Sequence, residues 1–283
     1  MGMKLLLIHT GGTIGMAETG AGLAPKAGLV EQALGERLPT DVALFSHVFD
    51  PLLDSADVGP GHWNRMLEVI RSHEGLPVII THGTDTMSFT GAALSQALAG
   101  EGRCVVLCGS MKPLGHGADA EGNLQLAIDA ALSNEPGVAL AFAGKMMPAA
   151  GLIKRDSEAE DAFRSVPQDH LEPSARPVFD DRRFAILTLS PGISAEFLRL
   201  ALSCLDGAVL RVFGSGTAMS DPVVLKALEE AVRAGKRVRA VSQCERGGLE
   251  PGTYAAGAGL WATGIENGGR QTPEAALISI WLA

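Results

Sequence analysis

The chain has no basic run: Lys plus Arg number 23 against 32 Asp plus Glu, a net charge of -9. That balance argues against nucleic-acid binding as a main function. The one short basic cluster, Lys236, Arg237 and Arg239, reads as a solvated turn between a helix and a strand. No apolar stretch approaches the roughly 18 residues of a membrane span. The opening run Leu5-Leu6-Leu7-Ile8 is too short for a signal peptide, so a cytoplasmic protein without a membrane partner is expected. There is no CxxC pair among the four cysteines at 104, 108, 204 and 244, which leaves neither a zinc site nor a redox centre and predicts buried free thiols. Cys104 and Cys108 fall on one face of a strand. The seven histidines, at 9, 47, 62, 73, 82, 116 and 170, form no HExxH or other close cluster, so no metal and no cofactor are expected. His9 and His82 each end a strand and are expected to order their loops through hydrogen bonds.

What is present is a chain of 283 residues, 46% hydrophobic and 19% charged, enough to fill one large core or two modest ones. The first half repeats one unit: an apolar strand, a Gly/Ser/Thr/Asp-rich loop and an amphipathic helix. Strands are predicted at 4–9, 42–49, 77–81, 103–109 and 138–142, and helices at 62–71, 89–99 and 124–132. Residues 155–183 are charged and broken by Pro167, Pro173 and Pro177, and read as a connection. Alternation resumes with strands at 184–189, 207–213 and 237–242 and helices at 195–204, 222–234, 253–261 and 273–281. The fold class is therefore α/β: a larger N-terminal, doubly wound, mostly parallel sheet domain (1–165), a linker (166–183) and a smaller C-terminal α/β domain (184–283).

Open parallel sheets bind ligands at the carboxyl ends of their strands, which selects the loops that follow them. The first is His9-Thr10-Gly11-Gly12-Thr13-Ile14-Gly15, whose glycines allow a sharp turn and close approach to a ligand; it is neither GxGxxG nor a phosphate-binding loop. Asp54-Ser55-Ala56-Asp57 follows the second strand, and there a helix cap and a carboxylate site predict the same residues. Thr81-His82-Gly83-Thr84-Asp85-Thr86-Met87 follows the third; a cap explains Thr86 or Asp85, but not a second hydroxyl beside an acid. Gly109-Ser110-Met111-Lys112-Pro113 follows the fourth, and the fifth ends at Lys154, which reads as a solvated charge unless it sits among those hydroxyls and Asp85.

GGTIG at 11–15, DSAD at 54–57, HGTDTM at 82–87 and GSMKP at 109–113 resemble, in combination and order, the homotetrameric bacterial-type L-asparaginase and glutaminase family, particularly its cytoplasmic branch. The resemblance runs from Lys4 to the last residues. It implies amide hydrolysis by double displacement, in which Thr13 attacks the side-chain amide carbon, ammonia leaves, and water cleaves the acyl-enzyme. Thr84, Lys154 and Asp85 would form the supporting relay, with Asp85 also receiving the substrate α-ammonium. Ser55, with the backbone of Asp54 and Ala56, would hold the α-carboxylate. Amides around Gly12 and Thr84 would face the oxyanion. The partner implied is a small amino-acid amide, and the assembly a homodimer or homotetramer with sites completed between subunits.

Three departures surround this core. The family's lid tyrosine is missing: Leu23 stands in its place in the segment 18–25, and the one tyrosine, Tyr254, lies far along the chain. Thr217 replaces an asparagine that the family offers to a neighbouring site; Thr217 and Tyr254 are the candidate cross-subunit residues. The chain also ends at Ala283, short of a further helix, which leaves an apolar last turn expected to be covered by something, a subunit for example. Retained hydrolytic machinery with altered substrate preference is the resulting expectation; hydrolysis of a different small amide and a catalytically weak amino-acid sensor are the alternatives.

Overall fold

The computed structural model describes residues 2–20 and 22–283. The chain divides into two compact units, Met1–Ser165 with His170–Phe179, and Val166–Asp169 with Asp180–Ala283.

In chain order the first unit holds β1 (Lys4–Gly11), a hairpin of β2 (Met16–Thr19) and β3 (Gly22–Pro25), α1 (Leu29–Gly35), β4 (Ala43–Leu53), α2 (Pro60–Ser72), β5 (Val78–Thr81), α3 (Met87–Ala97), β6 (Cys104–Cys108), α4 (Asp119–Ser133), β7 (Gly137–Phe142), β8 (Lys145–Pro148), β9 (Leu152–Lys154) and β10 (Phe163–Ser165). One six-stranded sheet runs β4-β1-β5-β6-β7-β8. It is parallel except for β8, which turns back antiparallel on β7. Every residue of β5 and β6 is buried, as suits central parallel strands covered on both faces. One face of the sheet packs Leu5, Leu7, Ile79 and Val106 against Leu124 and Ile128 of α4.

Several boundaries depart from the sequence expectation. The strand expected at 42–49 continues through Asp50-Pro51 to Leu53; β4 is an edge strand, where a proline is tolerated. The fourth helix starts at Asp119 rather than at residue 124, because polar Asp119 and Asn123 spend their side chains on the preceding loop. All of α3 except Phe89 is buried, and a Cβ on Gly91 would lie 2.8 Å from the Ala149 carbonyl oxygen. That close contact seats residues 149–152 on the helix and so fixes the approach to Lys154 on β9.

The second unit holds β11 (Phe184–Thr188), α5 (Ala195–Ser203), β12 (Gly207–Val212), α6 (Pro222–Arg233), β13 (Arg237–Ser242), α7 (Ala258–Ala262), β14 (Glu266–Asn267) and α8 (Pro273–Leu282). Its sheet, β11-β12-β13-β14, is wholly parallel. Side chains of Ser194, Asp221 and Thr272 cap α5, α6 and α8. The helix expected from residue 253 begins only at Ala258, after Gly257 has passed the Gly216 carbonyl at a spacing that excludes a Cβ. The apolar last turn needs no subunit to cover it: Trp281 and Leu282 are buried, with Trp281 packed on Phe184 at 5.1 Å between rings and its indole N–H donating to Asp180 at 3.1 Å. Of the four free cysteines, Cys104 and Cys108 are buried in one cluster, whereas Cys204 and Cys244 are exposed rather than buried. Burial pushes the Cys108 thiol up to about 12.

Residues 166–183 are shared between the two units. In the first, Asn64 on α2 replaces strand pairing for the stretch ending at Phe179: its amide donates to the Phe179 carbonyl at 2.6 Å and accepts from the Phe179 N–H at 2.8 Å. Asn64→Ala removes both bonds and is expected to lower stability by about 1–3 kcal/mol. A urea unfolding midpoint unchanged from wild type would show that this clasp does not hold the segment.

Candidate active site

The loops at the carboxyl ends of β1, β4 and β5 meet through glycine. Gly11 (φ 125°) abuts Leu53 at the end of β4, where a Cβ would collide with the carbonyl oxygen. Gly12 takes φ 89°, and a Cβ there would lie 2.5 Å from the Gly83 nitrogen. A Cβ on Gly83 would in turn lie 2.7 Å from Cβ and Oγ of Ser55. Gly12, Gly83 and Ser55 are thus stacked in contact. Thr13 follows Gly12 and Thr84 follows Gly83, so the two threonines flank the same contact.

Thr13 opens a short 3-10 turn, Thr13–Gly15, and is half-buried. The turn is held by Gly15 N–H to Gly12 O (3.1 Å), Lys26 N–H to Gly15 O (2.9 Å) and Leu114 N–H to Ile14 O (3.4 Å). Leu23 sits half-exposed on β3, opposite Glu18 of β2.

Capping, an open alternative for two of these loops, is carried out by other groups. Asp54 caps only the 3-10 turn Ser55–Asp57, accepting from the Ala56 N–H at 2.9 Å. At the start of α2 the Gly59 N–H donates to His62 Nδ1 instead. Thr86 precedes α3, yet its hydroxyl donates across to the Ser55 carbonyl at 2.6 Å. Ser55, 4% exposed, is therefore free of capping duty and tied into the Thr84–Thr86 loop.

Lys154 has the company that distinguishes it from a solvated charge. Its Nζ donates to Thr84 Oγ1 at 2.9 Å and to Asp85 Oδ1 at 2.5 Å, with only 18% of the side chain exposed. An ammonium donating to a hydroxyl oxygen favours negative charge there and leaves the hydroxyl hydrogen to be given elsewhere. Thr84, Asp85 and Lys154 form one bonded group. Thr217 and Tyr254 belong to the second unit: Thr217 Oγ1 lies 3.4 Å from the Phe213 carbonyl oxygen, and Tyr254 is largely exposed.

Some supporting residues carry no motif and were not anticipated. Asp119 accepts from the Met111 and Lys112 N–H groups at 2.6 and 3.0 Å, while Asn123 donates to the Gly109 carbonyl at 2.9 Å, so α4 shapes the GSMKP loop. Nothing in the sequence sets the pair apart from Glu121, Gln125 and Asp129 of the same helix; what distinguishes Asp119 and Asn123 is that both are buried. The two strand-end histidines do order their loops. His9 Nδ1 lies 2.7 Å from Thr81 Oγ1; His82 Nδ1 lies 2.7 Å from the Gly83 carbonyl and Nε2 lies 2.9 Å from Thr90 Oγ1. Thr90 and its second partner, the Trp63 indole N–H at 3.0 Å, are helix residues without any loop signature.

Comparison with known proteins bears on both units. The family model described as asparaginase, N-terminal, matches residues 4–179, and that of the glutaminase/asparaginase C-terminal domain matches 183–283. L-asparaginase 1 of Escherichia coli K12 is 31% identical over 310 residues, spanning 98% of this chain and 90% of its own. The thermostable L-asparaginase from Thermococcus kodakarensis superposes with a TM-score of 0.88 at 30% identity, covering 99% of this chain and 92% of its own. A probable cytoplasmic L-asparaginase from Campylobacter jejuni, at 20% identity and TM-score 0.77, covers 99% and 94% and shares the fold.

Burial lowers the pKa of His82 from 6.5 to about 4, against a weaker opposing pull from the Gly83 carbonyl. Below pH 6.5 the unfolded chain takes up a proton that the folded chain refuses until about 4, so stability falls as pH drops through that window. At 1.36 kcal/mol per unit, the loss from His82 is about 3 kcal/mol across it. His82→Gln retains an amide donor for the Gly83 carbonyl but does not titrate. Urea unfolding midpoints followed from neutral pH into the acid range are expected to fall more steeply in wild type than in the variant, and parallel curves would refute this.

Proposed function

The chain belongs to the asparaginase and glutaminase family, and from that premise we propose that Thr13 is its nucleophile, with Thr84, Asp85 and Lys154 as the group that serves it. The protein is an amidohydrolase of asparagine-like amides. The observation that carries the assignment of roles is the double donation of Lys154 to Thr84 and Asp85, beside the Gly12–Gly83 contact that the two threonines flank.

In the first half-reaction Thr13 Oγ adds to the side-chain amide carbon, its proton passes by way of the Thr84–Lys154 pair to the leaving nitrogen, and ammonia departs from the tetrahedral intermediate. In the second, water adds to the resulting threonyl ester, and collapse releases the acid and restores the Thr13 hydroxyl. The oxyanion of both intermediates is met by backbone amides around Gly12 and Thr84, each such donor contributing about 3 kcal/mol. The substrate head is zwitterionic. Asp85, one carboxylate oxygen engaged by Lys154, offers the other to the α-ammonium, and Ser55 with the Asp54–Ala56 backbone receives the α-carboxylate.

The proposed assembly is a homodimer or homotetramer in which Thr217 and Tyr254 reach a neighbouring subunit's site, and a solution mass measurement distinguishes these from a monomer. The proposed compartment is the cytoplasm, as for the Campylobacter jejuni relative. Leu23 favours a second reading of specificity: a half-exposed leucine on the β2–β3 hairpin supplies no hydroxyl to Thr13, so asparagine is a slow substrate and a related amide a better one.

Ammonia release from asparagine, glutamine and related amides tests these roles. Thr13→Ala is expected to abolish it, and Lys154→Met to lower kcat by about 10²–10⁴, the usual contribution of a positioned proton-transfer group. Undiminished hydrolysis by the Thr13 variant would sink the nucleophile. Leu23→Tyr is expected to raise turnover of asparagine relative to the other amides, and an unchanged ratio would count against the reading of the hairpin.

A further inference from the structure

A chain of buried hydrogen bonds leads from α2 to the peptide that precedes Thr84, and its direction is fixed by chemistry. The Trp63 indole N–H only donates, so Thr90 Oγ1, 3.0 Å away, accepts from it. The Gly83 carbonyl only accepts, so His82 Nδ1, 2.7 Å away, carries the imidazole hydrogen. In the neutral ring Nε2 is then the acceptor, and the Thr90 hydroxyl donates to it across 2.9 Å. Every link points one way: Trp63 to Thr90 to His82 to the Gly83 carbonyl. His82 and Thr90 are wholly buried and Trp63 is 4% exposed, so no water competes for these bonds.

The Gly83 carbonyl shares a peptide plane with the Thr84 N–H. In that trans unit the two point in opposite directions, so pinning the carbonyl to the buried imidazole turns the N–H away from it. Among the described residues no acceptor takes the Thr84 N–H. Glycine at 83 lacks the side-chain restriction that would fix this plane, so the imidazole supplies what the backbone does not. A carbonyl that accepts a strong bond also polarises its own amide, which strengthens the N–H as a donor.

We infer that His82 is a positioning residue that, with its ring anchored by Thr90 and Trp63, aims the Thr84 N–H at the oxyanion of the amide substrate. The inference rests on the proposed nucleophilic role of Thr13, because the oxyanion forms only if a nucleophile adds to the amide carbon. Its effect falls on the chemical step: a donor directed at the oxyanion stabilises the intermediate more than the planar amide. Thr90→Val removes the donor that anchors Nε2 while nearly keeping side-chain shape, which leaves the ring held by the Gly83 carbonyl alone; Thr90→Ser retains the hydroxyl.

The test pairs kinetics with ¹⁵N NMR of the imidazole. In wild type and Thr90→Ser the His82 nitrogens are expected to show the Nδ1–H pattern with Nε2 at the shift of a hydrogen-bonded acceptor, and in Thr90→Val Nε2 is expected to move to the shift of an unbonded one. With asparagine, Thr90→Val is expected to lose about tenfold in kcat, part of the 10²–10³ that deleting such a donor costs, with KM within about twofold and recovery in Thr90→Ser. A wild-type Nε2–H tautomer, or a Thr90→Val protein with an unbonded Nε2 and full kcat, would overturn the inference. Thr13→Ala assayed alongside separates the two ideas: if it still hydrolyses asparagine the nucleophile assignment fails, whereas an inactive Thr13→Ala beside a fully active Thr90→Val defeats the positioning role alone.

Discussion

Three loops from three strands share one site because nothing larger than hydrogen stands between Gly12, Gly83 and Ser55. Removing a side chain at one point does not by itself bring loops together. It works here because β1 lies between β4 and β5 in a parallel sheet, so all three loops leave the same sheet edge side by side. The Gly12 backbone, at φ 89°, turns into the gap, and Gly83 offers no Cβ to resist it. With the Gly12 and Gly83 backbones in contact, the residue after each glycine, Thr13 or Thr84, carries a hydroxyl past the same point. The strand order makes the loops neighbours; the glycines make them touch.

The surroundings hold that contact at a polar cost. His9 and His82 are both wholly buried at strand ends, and burial pushes each pKa down, so both rings are neutral at physiological pH. Neutral imidazole offers one donor and one acceptor, and His82 uses both. His9 is held through Nδ1 alone and its buried Nε2 has no partner among the described residues, whereas both nitrogens of His82 are satisfied, which specifies one arrangement of that ring. Asp119 and Asn123 work the same way on the loop after β6, clasping three backbone groups from the first turn of α4.

What the sequence made legible follows from these differences in mechanism. Continuous apolar runs such as Val78-Ile79-Ile80 announce buried parallel strands, and glycine-threonine loops after them announce a site. Both signals are local. Lys154 was ambiguous by itself, since its meaning depends on Thr84 and Asp85, about seventy residues away in sequence. Thr90 and Trp63 were invisible for the same reason: a threonine in an apolar helix reads as filler until the imidazole beside it is seen. The β2–β3 hairpin and α1 escaped because pieces of four to seven residues are too short for periodicity to register. The continuation of β4 past residue 49 was equally illegible, because a proline suits an edge strand and a local stretch of sequence does not say which strand lies at the edge.

The Lys154–Asp85 pair marks where stability and chemistry separate. Asp85 is 68% exposed, and an ion pair with so much water around one partner contributes little to folding. Its value lies in what it leaves available. A carboxylate has about four acceptor positions and Lys154 occupies one, so Asp85 stays able to receive a second cation while its own charge keeps the ammonium beside Thr84. The ammonium in turn has three hydrogens and spends one on Thr84 and one on Asp85. An arrangement built for stability would bury the pair and saturate it. This one is fixed on the protein side and open on the other, as the proposed reception of a charged substrate head at Asp85 requires.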